Sequence, residues 1–303
     1  MKRKLLALIL VLLPLLASTA LAAPSVSAPH AILMDAKTGL VLYERNAHQR
    51  AYPASTTKIM TAILALENGN LDDTVTVSFN AVNSISYDSS KAGLFEGETF
   101  TLKDMVYTLL ICSANDSANV IAEHIAGDIA SFVDKMNTRA AELGAKNTHF
   151  VNTHGLHNDE HYTTAYDLAL LTRHALTLPH FREIVAMRQY ILEPTDQYEE
   201  VRYCNSTNHL LNSQSPYYYS EAIGVKTGYT DNAKSCLVAA SETGGATYVS
   251  VVMGAENVDG QAMSFVDSRS LLRYGAENCA PRILEPAGTL VLDIPVDKAK
   301  NTK

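Results

Sequence analysis

Strand-type runs stand at both ends of this chain, and a long helical block stands between them. At the front, Ala31–Met34 and Leu40–Tyr43 flank a turn at Lys37-Thr38-Gly39. At the back, Ala222–Thr230, Ser235–Ser241 and Tyr248–Gly254 are β-rich, with a hairpin turn over Glu242–Ala246 joining the last two. From Leu102 to about Leu178 the apolar residues instead recur at helical spacing: Leu102, Met105, Val106, Leu109 and Leu110, then Val120, Ile121 and Ile125, then Phe132, Val133 and Met136. Leu168, Leu170 and Leu171 continue the pattern after a polar loop from Lys146 to Thr164, and Asp267 to Ala276 reads as a closing helix. Strands at both ends around a helical block predict an α+β fold, a sheet backed by helices with an all-α lobe inserted.

One helix has a special place. Thr56 to Glu67 follows Pro53 and stops at Asn68-Gly69-Asn70, the expected punctuation for a helix. Ile59, Met60, Ala62, Ile63, Leu64, Ala65 and Leu66 leave it almost no polar side, so it belongs at the centre of the molecule. With 47% hydrophobic and 18% charged residues in 303, the chain can build a large core, and disordered or collagen-like readings are excluded. A net charge of −8 makes a phosphate-neutralising surface, and so nucleic-acid binding, a poor expectation.

Residues 1–23 read as a signal peptide. Lys2-Arg3-Lys4 precede an apolar run, Leu5 to Leu16, broken only by Pro14, and Ala20-Leu21-Ala22 offers a cleavage site before Ala23. An uncleaved membrane anchor is the competing reading, disfavoured by Pro14 and by the small-residue end. Losing those three cations takes the chain from −8 to −11, and the expected location is extracytoplasmic. Residues 24–279 are then one catalytic domain and 280–303 a short tail. The four cysteines are too few for a disulfide scaffold, and no pairing is legible from their spacing. Cys112, closing the apolar run Val106–Ile111, is expected to pack as a small hydrophobe.

Three short patterns carry the chemistry. Ser55-Thr-Thr-Lys58 is the chain's single S-x-x-K, and residues three apart on a helix share a face, so a neutral lysine there can take the serine's proton. S-x-N occurs four times, at Ser78, Ser113, Ser117 and Ser206, but only the copies in Ser113–Asn119 sit between one apolar helix and the next. K-T-G occurs twice: Lys37-Thr38-Gly39 in a turn, and Lys226-Thr227-Gly228 inside a strand run. A strand lysine between Gly224 and Gly228 is odd for core packing and marks close approach by a ligand or another backbone.

In this order the three patterns resemble the active-site set of penicillin-recognising serine acyl-transferases. Pro53–Ala62, Ser113–Ser117, Lys146–Leu156 and Gly224–Thr230 narrow the resemblance to the low-molecular-mass penicillin-binding proteins, the serine-type D-alanyl-D-alanine carboxypeptidases, from about Ala28 to Ala276. The resemblance implies a β-lactamase/transpeptidase-like fold with an antiparallel sheet. It implies that Ser55 attacks the carbonyl between the two terminal D-alanines of a peptidoglycan stem peptide, that Lys58 accepts its proton, and that Ser113 relays a proton to the leaving D-alanine. Asn115 would hold the substrate amide, while Lys226 keeps Lys58 neutral with a lasting positive charge and, with Thr227, meets the substrate carboxylate. The backbone N–H groups of Ser55 and Tyr229 would form the oxyanion hole. Water would complete the turnover, β-lactams would be held as slow acyl-enzymes, and no metal or organic cofactor is implied.

Two departures stand out. Where the family often carries an arginine seven residues before the Leu-Leu pair of the closing helix, this chain has Ser264, which leaves the carboxylate to Lys226 or to nearby Arg269. Gly288–Pro295 suits one strand rather than a further domain, and no amphipathic anchoring helix follows it. A class A-like β-lactamase is the nearest rival, but no glutamate between Ser113 and Lys226 has Asn four residues later, the E-x-x-x-N that its deacylation needs. A non-catalytic sensor or scaffold that keeps the pocket is the other. His149, His154, His157 and His161 invite a zinc reading, yet they fall on an irregular loop without H-E-x-x-H, which favours rim or supporting roles. Asp167 is expected to cap a helix or clamp a loop, and Tyr217-Tyr218-Tyr219 either lines the cleft or covers it.

Overall fold

The computed structural model describes residues 23–279, so the leader reading, Ala23 apart, and the tail reading of 280–303 concern residues outside it. Strands β1 (His30–Asp35) and β2 (Val41–Arg45) form the first hairpin, with Thr38 bonded back to Asp35 in the turn. A 3-10 turn, Ala54–Thr57, runs straight into α1 (Lys58–Asn68). Strand β3 (Thr74–Thr76), helix α2 (Phe79–Asn83) and strand β4 (Thr99–Thr101) lead into α3 (Leu102–Ile111), α4 (Asn115–Ala126) and α5 (Ile129–Glu142). After the polar loop come α6 (Ala165–Ala175) and α7 (Phe181–Ala186), then the hairpin β5 (Gln189–Leu192) and β6 (Arg202–Asn205). The chain closes with β7 (Ala222–Thr230), β8 (Lys234–Thr243), β9 (Ala246–Ala255) and α8 (Met263–Asn278).

The main sheet has the order β2-β1-β9-β8-β7, antiparallel throughout, so the two strand-rich ends of the chain meet where β1 pairs with β9. Side chains alternate across a strand, and the core divides accordingly. Ile32, Met34, Val249 and Val251 face the apolar cluster built from α1, α3, α4 and α6. Ala31, Leu33, Tyr248 and Val252 face Leu271 and Leu272 of α8. Every residue of α1 from Lys58 to Ala65 is buried, as an all-round apolar helix requires. Its first residue is a lysine, and the energetic cost of that burial must be met by chemistry around its amine.

Asp167 clamps the polar loop. Its backbone N–H donates to the Thr164 side chain that caps α6, and its carboxylate accepts from Asn147 N at 2.7 Å and Thr148 Oγ1 at 2.8 Å. The loop meets α1 through Thr61 Oγ1, which donates to the Thr153 carbonyl at 2.5 Å.

Candidate active site

Ser55 sits in the 3-10 turn, and the turn is bent into place from both sides. Ala54 takes a left-handed φ of 48°, a conformation that a non-glycine residue keeps only when its surroundings impose it. Thr57 Oγ1 donates to the Ala54 carbonyl at 2.8 Å, and Thr56 Oγ1 to the Pro53 carbonyl at 2.7 Å. Gly155 lies on the same carbonyl so closely that a Cβ there would stand 1.8 Å from Ala54 O. The histidine at 161 completes the support. Val151 N donates to its Nδ1, so the ring proton is on Nε2, which donates to Thr57 Oγ1 at 2.8 Å.

Lys58 Nζ lies 3.0 Å from Ser55 Oγ, 2.6 Å from Asn115 Oδ1 and 2.8 Å from the His154 carbonyl. Burial and, second, the nearby Lys226 drive its pKa well below the usual lysine range, against a smaller opposing pull from Asp116. A neutral amine has two N–H bonds and one lone pair. Asn115 Oδ1 and the His154 carbonyl only accept, so they take the two N–H bonds. The lone pair is left for the hydroxyl of Ser55.

Ser113 occupies the bend between α3 and α4 with φ 64°. It is buried, it lines the cleft, and among the described residues its hydroxyl has no partner. The next copy of S-x-N is a brace: Ser117 bonds Thr108, and Asn119 links Thr153 to the α2 region. Asp116, which sequence reasoning missed, accepts from the N–H groups of Ala92, Gly93 and Leu94, fixing the segment whose Ser90 carbonyl accepts from Asn115 N.

β7, one of the two edge strands of the sheet, forms the facing wall. A Cβ on Gly228 would lie 2.9 Å from Ser55 N, so here the glycine does mark close approach, by the backbone of the serine itself. Gly224 marks another: a Cβ there would lie 2.9 Å from the Val185 carbonyl of α7 and 2.8 Å from its side chain. Lys226 is fully buried with Nζ donating to the Thr227 carbonyl at 2.9 Å. Burial brings its pKa down to about 7. Thr227 and Thr207 share a hydroxyl–hydroxyl hydrogen bond.

Ser55, Ser113, Thr207, His209, Thr227, Gly228, Tyr229, Ser264 and Phe265 line a single cleft of about 360 Å³, with Lys58 beneath Ser55 and Lys226 behind Thr227. The four residues 55, 58, 113 and 226 therefore converge. Arg269 does not join them; it donates to the Pro216 carbonyl at 2.7 Å. Ser264 does, from the first turn of α8, whose N-terminus has no side-chain cap. Tyr217 covers that turn rather than the cleft, accepting from Ala262 N and stacking on Phe265.

The loop histidines serve structure. His154 and His161 are both pushed down to about 3, chiefly by burial, and so are neutral. His149 bonds the Glu160 carbonyl and His157 lies beside Asp159. Among the described residues no group of three or more His, Cys, Asp or Glu side chains could hold a metal ion. Thr207, Asp116 and Gly155 gave no sequence signal of their own, because each acts through a contact distant in the chain.

A family model described as D-alanyl-D-alanine carboxypeptidase matches residues 17–257. D-alanyl-D-alanine carboxypeptidase DacF of Bacillus subtilis is 38% identical over 234 residues, which cover 75% of this chain and 57% of that one. A D-alanyl-D-alanine carboxypeptidase of Streptomyces sp. strain K15 is 34% identical over 271 residues, covering 85% and 90%. Thus the chain spans little more than half of the first relative and nearly all of the second. The crystal structure of the Streptomyces K15 DD-transpeptidase superposes with a TM-score of 0.76 at 33% identity, covering 84% of this chain and 99% of that one.

Proposed function

The chain belongs to the D-alanyl-D-alanine carboxypeptidase family, and from that premise we propose that it removes the terminal D-alanine from peptidoglycan stem pentapeptides through an acyl-enzyme on Ser55. The observation that carries this reading is the Lys58 amine, whose two N–H bonds are taken by Asn115 and His154 and whose lone pair faces the serine hydroxyl at 3.0 Å.

In this reaction Ser55 Oγ gives its proton to Lys58 and bonds to the carbonyl carbon. The negative oxygen that forms is met by the backbone N–H groups of Ser55 and Tyr229, which the close approach of Gly228 to Ser55 brings near each other. Ser113, unpartnered in the cleft, carries the proton from Lys58 to the departing D-alanine nitrogen. Asn115, its oxygen engaged by Lys58, has its Nδ2 left to offer the substrate amide. The terminal carboxylate is received by the Thr207–Thr227 hydroxyls and by Ser264 at the uncapped N-terminus of α8, with charge from Lys226 behind them. Water then cleaves the ester. A β-lactam forms the same ester, and its slow hydrolysis traps the enzyme.

The wall precursors lie outside the cytoplasmic membrane, and we place the enzyme there on the strength of the signal-like residues 1–23; no helix among the described residues is long and apolar enough to cross a membrane. Residues 24–279 act as one catalytic domain in this reading.

Intact mass after incubation with benzylpenicillin tests the nucleophile: native protein gains one drug mass and Ser55→Ala gains none. An adduct on Ser55→Ala overturns the assignment. Free D-alanine released from a pentapeptide analogue then separates an enzyme from a sensor, which releases none, and an added amine acceptor measures how much acyl group goes to transfer instead of hydrolysis.

A further inference from the structure

Two of the cysteines meet behind the cleft. Cys204 is buried on β6, opposite Tyr190 of β5 in the hairpin register. Residues directly opposite in an antiparallel pair project to one face, and this face is turned toward α3. The Tyr190 hydroxyl donates to Asp104 Oδ1 at 2.6 Å, and its ring lies 4.7 Å from that of Tyr107. Asp104, Thr108 and Cys112 follow one another at four-residue steps along the same side of α3, with Cys112 at its C-terminal cap. Cys112 Sγ donates to the Thr108 carbonyl at 3.3 Å, and the two thiols are near enough for each to shift the other, Cys112 upward and Cys204 downward. The other two lie elsewhere: Cys236 against the Tyr52 and Ala233 carbonyls, and Cys279 beyond the end of α8.

The pair is placed where a covalent link has consequences for the site. Cys112 directly precedes Ser113, and Cys204 stands three residues before Thr207; Ser113 and Thr207 line the cleft from different walls. By whole-residue exposure Cys112 is partly open to solvent and Cys204 is buried.

We propose that Cys112 and Cys204 form a disulfide that fastens the Ser113 wall of the cleft to the Thr207 wall. The oxidant is a disulfide donor of the extracytoplasmic space, so the inference rests on that part of the functional reading and not on the acyl-transfer chemistry. Cys112 exchanges onto the donor, releasing one donor thiol. The Cys204 thiolate then attacks Cys112 Sγ and releases the second. The pair loses two protons and two electrons, and the donor disulfide becomes two thiols. Between the two thiols Cys112 is held above its ordinary value and Cys204 below it, so Cys204 is the readier thiolate for this second step.

The test begins with the full chain equilibrated in a glutathione and glutathione-disulfide buffer, denatured without reductant and alkylated with iodoacetamide. Of the four cysteines, two are expected to be alkylated, Cys236 and Cys279, and all four after reduction, with peptide mapping joining Cys112 to Cys204. Four adducts before reduction, or a link to Cys236 or Cys279, overturns the pairing. The second arm measures benzylpenicillin acylation of oxidised and reduced protein. Reduction is expected to slow the native protein several-fold and to leave Cys112→Ser and Cys204→Ala unaffected. An equal response of native protein and variants to reductant overturns the fastening role. Acylation of the reduced protein still reports on Ser55, so failure of the disulfide and failure of the serine chemistry give different results.

Discussion

In the proposed reaction the proton that Ser55 loses goes to Lys58, and two lysines decide when that place is open. Lys58 is neutral because it is buried and because Lys226 stands nearby. Lys226 is itself charged below about pH 7 and neutral above it. Replacing Lys226 by Ala removes the cation that lowers Lys58, so the ascending limb of acylation against pH should move to higher pH, measured with benzylpenicillin. An unmoved limb would show that burial alone sets Lys58. For a peptide with a free terminal carboxylate, the native enzyme should also lose affinity as pH rises through 7, and a peptide ending in an amide should show no such loss. Lys58→Ala should slow acylation by roughly 10²–10⁴-fold, the usual range for a lost general base, with the fold intact by circular dichroism. The sequence reached these residues because S-x-x-K states a spacing on one helix. It could not reach the charge state of Lys226, which depends on how much of the sheet covers it.

At the level of elements, the site is a contact between a turn, a loop and a strand edge, and two glycines measure how tight it is. Gly155 has φ +91°, and its missing Cβ makes room for the Ala54 carbonyl. Gly155→Ala should cost about 2–4 kcal/mol of stability, read by urea denaturation, and should impair acylation because the turn bearing Ser55 must shift. Gly228 on β7 has no left-handed strain, but a Cβ there would lie 2.9 Å from Ser55 N and 3.1 Å from both Ala54 Cβ and the Pro53 carbonyl. Gly228→Ala should therefore cost less stability than Gly155→Ala while acylation falls sharply. A parallel loss of both would mean that the strand edge serves stability rather than the reaction. The five strands of the main sheet and the longer helices were readable from periodicity, and so was the position of Ser113 between two helices; the short α7 after Pro179 and the β5–β6 hairpin were not. The choice among four S-x-N copies was not, because Ser117 and Asn119 differ from Ser113 and Asn115 only in which way the folded bend turns them.

Over the whole molecule, a loop far in sequence from Ser55 forms the floor under it, and its burial makes the protein sensitive to acid. Unfolded histidine takes up a proton below about pH 6.5, whereas His161 and His154 in the fold resist until about 3. The stability carried by their neutral forms is complete above pH 6.5 and is lost as pH falls toward 3, at about 1.4 kcal/mol per pH unit for each histidine. His161→Asn should flatten the fall of unfolding free energy between pH 6 and 4, and an unchanged slope would place the acid sensitivity elsewhere. The amino-acid order alone determined the α+β class, the central apolar helix, the serine and lysine proposed as catalytic and the family to which they point, since each follows from local spacing. Only the tertiary structure decided that Arg269 stays outside the cleft while Ser264 enters it, that Lys226 titrates near neutrality, and that Cys112 meets Cys204. Those outcomes depend on burial and on contacts between segments far apart in the chain, and no local pattern records either.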